Sequence, residues 1–443
     1  MTTSAPIDVD RILNDGRWTG YQQWLVFLTA LTIIFDGFDN QLLGVALPTI
    51  MREWGVARTA FAPVVSLGYL GMMIGGTLAG YAGDRIGRRN ALLGCMVLFG
   101  AATIAVAAVH DVRMLGILRL IAGLGLGGAM PNAAALAAEY VPLRQRPFAV
   151  TLAIVCVPLG ATVAGVSGAV ALSSVGWRGL FLIGGATPIV AAAILAFVMP
   201  ESPRFLVRHP SRWRELAGLL TRMGHRVPAD ATFVQPVESV AGPRPSLAAI
   251  FARELRIDTF GLWAAFFSCL LAVYLGFSWL PSILTGAGLG TAVASTGLTA
   301  FNLGGVAGAL VSGRLLTRFG SRAIMIGMTA AAVVCALILS RMTITPPAVT
   351  QILVMLTLTG GLINAVQTTM YALAAHVYPT AIRAGGVGTA VAFGRLGAIL
   401  VGYAGPWALE YRGSESFFWL MAGALVVTCI GLATVRRHVP VAA

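Results

Sequence analysis

Long apolar runs alternate with short polar, arginine-bearing connections along nearly the whole chain. A helix that crosses the ~30 Å hydrocarbon core of a bilayer needs about 20 apolar residues. Runs near that length lie at 24–47, 60–82, 91–109, 113–136, 148–171, 180–199, 258–280, 292–312, 323–340, 349–372, 386–408 and 416–435. A transmembrane barrel would instead show ~10-residue segments of alternating polarity. The pattern therefore predicts an all-α membrane protein with twelve transmembrane helices. The longest polar stretch, 200–257, separates the sixth run from the seventh. It divides the chain into an N-terminal segment (1–23), a first six-helix bundle (24–199), a linker (200–257), a second six-helix bundle (258–435) and a tail (436–443). Within 211–227, Leu216, Leu219, Leu220 and Met223 recur at helical spacing with arginines on the other faces. That predicts an amphipathic helix lying under the bundles.

Composition agrees with the pattern and removes alternatives. The chain is 57% hydrophobic and 11% charged, with a mean hydropathy of +0.83, a surface no soluble domain of this size carries. The 53 glycines suit close helix–helix approach in lipid. Cys95, Cys156, Cys269, Cys335 and Cys429 all fall inside apolar runs, so neither a disulfide framework nor a metal cluster is expected. No catalytic triad or phosphate loop is visible, which argues against an enzyme and against a resident cofactor. MTTSAPIDVD lacks a basic region followed by a cleavable apolar one, so no signal peptide is expected.

The net charge of +13 would suit a nucleic-acid partner were it not for its distribution. All 30 basic residues are arginine. If the N-terminus is cytoplasmic, 22 of them fall in cytoplasmic segments, six fall outside (Arg52, Arg58, Arg113, Arg178, Arg341, Arg412) and two, Arg119 and Arg395, lie within spans. By the positive-inside rule both termini are expected in the cytoplasm. The charge then serves topology and contact with anionic lipid headgroups, not nucleic acid.

Four charged residues stand where lipid-depth sequence should be apolar. Asp36 and Asp39 interrupt the first run, with Asn40 beside them. An ionised carboxylate at mid-bilayer costs at least ~2.5–3.5 kcal/mol. At i, i+3 and i+4 these three side chains are expected to share one helix face. Desolvation favours the neutral carboxyl, so such a group can exchange a proton near neutral pH. The competing reading is a capped break at Gly37 or a permanent ion pair. Arg119 enters the fourth run to a similar depth and, being unable to shed its proton, must find an anion. Asp36, Asp39 and a substrate carboxylate are the candidates, whether as a fixed pair or an exchanging one. Gly123, Gly125, Gly127 and Gly128 after it have no preceding strand, so they read as packing residues and not as a nucleotide fold.

The two halves repeat. Gly80-Tyr81-Ala82-Gly83-Asp84-Arg85-Ile86-Gly87-Arg88-Arg89 follows the second run, and Gly313-Arg314-Leu315-Leu316-Thr317-Arg318-Phe319-Gly320-Ser321-Arg322 follows the eighth. Gly, Arg, Gly and Arg coincide at an offset of 233. Glu139-Tyr140-Val141-Pro142 with Arg146 likewise matches His376-Val377-Tyr378-Pro379 with Arg383. Duplicated six-helix bundles are the architecture of alternating-access carriers.

Gly80 to Arg89 resembles the signature loop of the major facilitator superfamily. Arg119 to Gly127 resembles the RxxxGxGxG motif of its fourth helix, and Pro200-Glu201-Ser202-Pro203-Arg204 its PESPR motif. Asp36-Gly37-Phe38-Asp39, with the lead-in Ile7-Asp8-Val9-Asp10, is similar to the aromatic acid:proton symporter branch. The resemblance covers essentially the whole chain. It departs at Thr317, where the second signature loop often carries Asp.

The resemblance implies a fold of two pseudo-symmetric six-helix bundles and a monomeric, multi-pass carrier of the cell inner membrane. It implies import of a small aromatic carboxylate, of the hydroxybenzoate or benzoate type, with protons. Asp36 and Asp39 would couple to the proton. Arg395, the single basic residue within a span of the second half, is expected to grip the substrate carboxylate, since an arginine fork suits that group; the competing reading is a polar tie between helices. Arg119, Asn40, Tyr274, Asn302, Asn364, Gln367 and Tyr371 are further candidate contacts, with Asn364, Gln367 and Tyr371 forming one stripe. Phe35, Phe38, Trp279 and Phe393 are candidates to stack on a ring. Asp84, Arg85, Arg88, Glu139, Arg144, Arg146, Arg318 and Arg383 would gate, clamping the bundles when the carrier faces outward. The alternatives are a proton-coupled carrier of another organic acid or a sugar-like solute, or an exporter. A receptor is disfavoured because 200–257 is too short for a sizeable signalling domain.

Overall fold

The computed structural model describes residues 6–228, 231–234, 247–379 and 382–440. Among them, twelve helices are long and apolar enough to cross a membrane. We number these α1 (Gly20–Trp54), α2 (Ala62–Ile86), α3 (Arg88–Val106), α4 (Val112–Tyr140), α5 (Arg146–Ser174), α6 (Gly176–Val198), α7 (Arg256–Gly286), α8 (Thr291–Phe319), α9 (Ser321–Arg341), α10 (Val349–Val377), α11 (Arg383–Arg412) and α12 (Ser414–Thr434). Several outrun the apolar stretches that predict them. The first run, 24–47, becomes a 35-residue helix because polar ends continue the hydrogen-bond ladder beyond the lipid. A capping box closes its start, with Thr19 and Gln22 exchanging side chain-to-backbone bonds. An even number of crossings returns the chain to the side it began on, and that end is called the terminal face below.

Glycines let α2 and α4 meet backbone to backbone. A Cβ at Gly71 or Gly75 would strike the carbonyls of Leu120 and Leu124, and one at Gly123 the carbonyl of Gly68. The second half repeats this: Gly304 and Gly308 face Thr357 and Gly361, and Gly360 faces Phe301. Gly71 and Gly75 lie 233 residues before Gly304 and Gly308, the offset already seen in the loops. The internal repeat therefore extends into the helix contacts.

On the terminal face, Trp213–Arg222 forms a helix that buries Leu216, Leu219 and Leu220. It is shorter than the expected 211–227, because Met223 caps it and Gly224 turns the chain at φ 91°. The stretches before and after it are tied to the N-terminal segment. Arg204 pairs with Asp10 at 3.0 Å, and Ile7–Asp8 forms a short parallel ladder with Phe233–Val234. The tail folds back as well: the Arg436 amide donates to Asp258 Oδ1 at 2.6 Å and the Val439 amide to Ser321 Oγ at 2.8 Å.

Candidate functional site

At mid-depth the two halves enclose a narrow chamber of about 50 Å³. From the first half it is lined by Asp36 and Asn40 of α1, Met72 of α2, Leu126 and Met130 of α4, and Ile154, Val157 and Pro158 of α5. From the second half come Tyr274 and Phe277 of α7, Asn364, Gln367, Thr368 and Tyr371 of α10, and Arg395 of α11. The lining is asymmetric: the first half brings a carboxylate and mostly apolar surface, the second a cation, aromatic rings and a row of neutral hydrogen-bonding groups.

Asp36 is 4% exposed, and its Oδ1 has no hydrogen-bond partner among the described residues. A buried carboxylate oxygen without a donor is costly. Asp39 is held differently. It is fully buried, 3.1 Å from Arg119 Nη1, and accepts a hydrogen bond from Thr103 at 2.5 Å. It does not line the chamber. The expectation that Asp36, Asp39 and Asn40 share a face thus fails for Asp39. At 100° per residue, i+4 lies 40° from i, whereas i+3 lies 60° to the other side. Asp36 and Asn40 face the second half while Asp39 turns inward to α3 and α4.

Arg119, a candidate substrate contact, is engaged with Asp39 and borders a separate void of about 20 Å³, lined also by Asn40, Tyr69 and Ser278. Asn302 is likewise away from the chamber. It is fully buried and returns its amide to the Leu298 carbonyl of its own helix at 2.9 Å. Of the four rings expected to stack, none lines the chamber. Trp279 donates to the Val401 carbonyl at 3.1 Å, Phe393 stacks on Trp263 at 4.9 Å, and Phe35 and Phe38 pack against the core. Tyr274, Phe277 and Tyr371 supply the aromatic surface instead. Thr368 was legible, standing four residues after Asn364 on the same stripe. Phe277, Met72, Met130 and Thr103 carried no signal beyond ordinary apolar or small residues.

Terminal-side of the chamber lies a larger cavity of about 340 Å³ between α2 and α4 on one side and α10 and α11 on the other. Met72, Met130, Tyr371 and Arg395 line both spaces and form the partition between them. At the opposite end the halves touch. Ser66 Oγ donates to the Ile399 carbonyl at 2.7 Å, Tyr69 and Ser278 share a hydrogen bond at 2.8 Å, and Arg58 reaches the Ser282 carbonyl at 3.3 Å. A Cβ at Gly402 would strike the carbonyl of Ala62 there.

The contacts described below for the expected gating residues lie within their own halves. Arg88 pairs with Asp84 at 2.5 Å, and Arg85 lies over Tyr81 at 4.3 Å. Glu139 accepts from Ser202, and Arg146 donates to Asn14 at 2.6 Å. Arg144 is exposed, Arg318 lies over Phe319 at 5.3 Å and Arg383 donates to the Tyr378 carbonyl at 3.4 Å. The side chain of Thr317 lies outside the described residues. Glu201 of the PESPR motif accepts from the Arg89 amide at 3.0 Å, satisfying a free donor at the start of α3. No group of side chains among the described residues has metal-ligand geometry.

The sequence model of the Major Facilitator Superfamily matches residues 29–365 and 282–443. The chain is 32% identical over 440 residues to the gallate transporter of Pseudomonas putida, spanning 98% of this chain and 97% of that one. It is 33% identical over 432 residues to the 4-hydroxybenzoate transporter PcaK of Acinetobacter baylyi, covering 96% and 93%. Among solved structures, the xylose transporter XylE of E. coli in a partially occluded inward open conformation superposes with a TM-score of 0.75 at 17% identity, covering 95% of this chain and 99% of that one. That likeness establishes the fold.

Proposed function

The chain belongs to the major facilitator superfamily, and on that premise we propose that it imports a small aromatic carboxylate together with a proton. The relatives carry names of gallate, 4-hydroxybenzoate and benzoate transport, which supports the substrate class. One observation carries the mechanism: Asp36, whose Oδ1 has no hydrogen-bond partner among the described residues, and Arg395 line the same chamber from opposite halves.

Charge decides how the two work. With Asp36 ionised, Arg395 is balanced and an entering carboxylate leaves one uncompensated negative charge in a dry space, which is costly. With Asp36 protonated, Arg395 is free to take the substrate carboxylate through its two-pronged donor set, and the chamber sums to neutral. Substrate and proton therefore occupy the site together. The ring then lies against Tyr274, Phe277 and Tyr371, and ring hydroxyls meet Asn40, Asn364, Gln367 or Thr368.

With the terminal face in the cytoplasm, as the arginine distribution expects, this conformation is closed outward and leads inward through the larger cavity. Asp84, Arg88 and Glu139 are bonded within the first half here, and in this reading they would meet partners across the gap when that face closes. The chamber of about 50 Å³ is smaller than a benzoate ring, so a bound substrate must displace the partition of Met72, Met130, Tyr371 and Arg395.

The test is uptake by purified protein in vesicles under an imposed inward proton gradient. Labelled 4-hydroxybenzoate, gallate and benzoate accumulate, a protonophore abolishes accumulation, and excess D-xylose does not compete. Asp36→Asn retains exchange of substrate across the membrane but loses accumulation against a gradient. Gradient-driven accumulation undiminished in that variant refutes the coupling role of Asp36.

A further inference from the structure

Tyr69 joins three things that the transport reading treats separately. Its hydroxyl bonds Ser278 Oγ at 2.8 Å, a buried contact between the first and second halves. Its ring lies 4.5 Å from that of Tyr274, which lines the chamber. It also borders the 20 Å³ void shared with Arg119, Asn40 and Ser278. Arg119 is 5% exposed, and its Nε has no partner. A void of that size holds one water, provided two to four polar groups line it, and four do here.

We propose that Tyr69 and Ser278 form the latch that keeps the face opposite the termini shut, and that Arg119 releases it. While Asp39 is charged it holds Arg119 at 3.1 Å, and the guanidinium leaves the latch alone. When Asp39 loses its charge, the donors of Arg119 need another acceptor. Within reach of its void stand Tyr69 Oη, Ser278 Oγ and Asn40, directly or through the single water. Drawing Tyr69 Oη or Ser278 Oγ towards the guanidinium pulls the two hydroxyls apart, and the halves lose a buried polar link. Tyr69 is a positioning residue in this scheme. It couples the ion pair to the gate without touching substrate, while its packing on Tyr274 places the latch one ring away from the chamber. The inference rests on the alternating-access reading above, though not on the identity of the substrate.

The test reads the gate directly. Spin labels are placed at Thr59→Cys and Ala287→Cys, exposed positions on either side of the closed end, in protein whose five native cysteines are replaced. Distances are measured in vesicles without substrate. Tyr69→Phe keeps the ring and deletes one hydrogen bond worth about 0.5–1.5 kcal/mol, so the ratio of open to closed populations rises about 2- to 12-fold. Ser278→Ala gives the same shift, and the double variant no more than either single one. Asp39→Asn also opens the gate, and adding Tyr69→Phe to it changes nothing further. Thr103→Val, which loosens only the second hold on Asp39, serves where Asp39→Asn does not accumulate and shifts the ratio in the same direction. A closed population unchanged by Tyr69→Phe and by Ser278→Ala overturns the latch. Additive effects of the Asp39 or Thr103 change and Tyr69→Phe overturn the link through Arg119. Because no substrate is present, a failure of aromatic-acid uptake leaves these distances readable and bears only on the proposed cargo.

Discussion

Arg395 and Asp36 sit in one chamber but are not locked in an ion pair, and that separates them from Arg119 and Asp39, which are. A transport site needs the first arrangement, because a group already satisfied gains nothing from a passenger. The fork of an arginine cannot be replaced by the point charge of a lysine at a bidentate site. Arg395→Lys should therefore raise the KM for aromatic acids about 10-fold or more, the equivalent of losing one charge-assisted hydrogen bond. The maximal rate should fall less, since the net charge of the chamber is unchanged. Initial-rate uptake over a range of substrate concentrations checks this, and an unchanged KM would remove Arg395 from the carboxylate's grip. At this scale the sequence was legible wherever a charge interrupts an apolar run, since such a residue has to have a reason. It was silent on Thr103, Tyr69 and Phe277. Their types are ordinary in membrane helices, and only the meeting of helices far apart in sequence gives them a role.

Helices were legible by existence and approximate place because lipid demands an uninterrupted apolar length and internal hydrogen bonding. Their ends were not, as the 35 residues of α1 against the 24 of its apolar run show. Which faces meet was partly written in glycine, but only the structure reveals that Gly71, Gly75 and Gly123 and their counterparts Gly304, Gly308 and Gly360 mark equivalent contacts. A methyl group at Gly75 has nowhere to go except into the Leu124 backbone, so α2 and α4 must separate along their length. Gly75→Ala should cost about 1–3 kcal/mol as an overpacked contact and lower the midpoint of thermal unfolding in detergent, whereas Gly94→Ala, which meets open space, should not. A second prediction concerns the tail. Burial holds the His438 imidazole below the usual histidine value of 6.5, with Arg322 acting in the same direction and Asp258 against it. A histidine that folds neutral contributes stability above its unfolded pKa, and loses it as pH falls through the lower folded value. The docking of residues 436–440 on Ser321 should thus hold at pH 7.5 and loosen towards pH 5. Hydrogen exchange in that segment, corrected for intrinsic rates, should rise accordingly, and His438→Asn should flatten the dependence.

For the molecule as a whole, a carrier is defined by which end is open, and here the ends are unlike. Side chains and close-packed glycines join the halves opposite the termini, whereas on the terminal side a cavity of about 340 Å³ lies between α2 and α4 on one side and α10 and α11 on the other. Thr77 is exposed on the wall of that cavity, and Ser66 is buried in the closed junction. A cysteine at Thr77 should therefore react with a membrane-impermeant maleimide applied from the terminal face, and a cysteine at Ser66 with one applied from neither. Alternation demands that the pattern reverse. Conditions that favour the other state, such as Tyr69→Phe, should slow labelling at position 77 and expose position 66 from the opposite side. On the proposed reading, the charges on the terminal face would make the reversal a two-state event. Asp84, Arg88 and Glu139 are bonded within the first half here, so closing the terminal side would exchange this set of ion pairs and hydrogen bonds for another, and on the proposed reading the proton and the passenger would set the balance. Labelling at both positions that rises and falls together, instead of in opposition, would mean that the helices breathe and do not rock, and would remove the basis for coupling uptake to a proton gradient through a single central site.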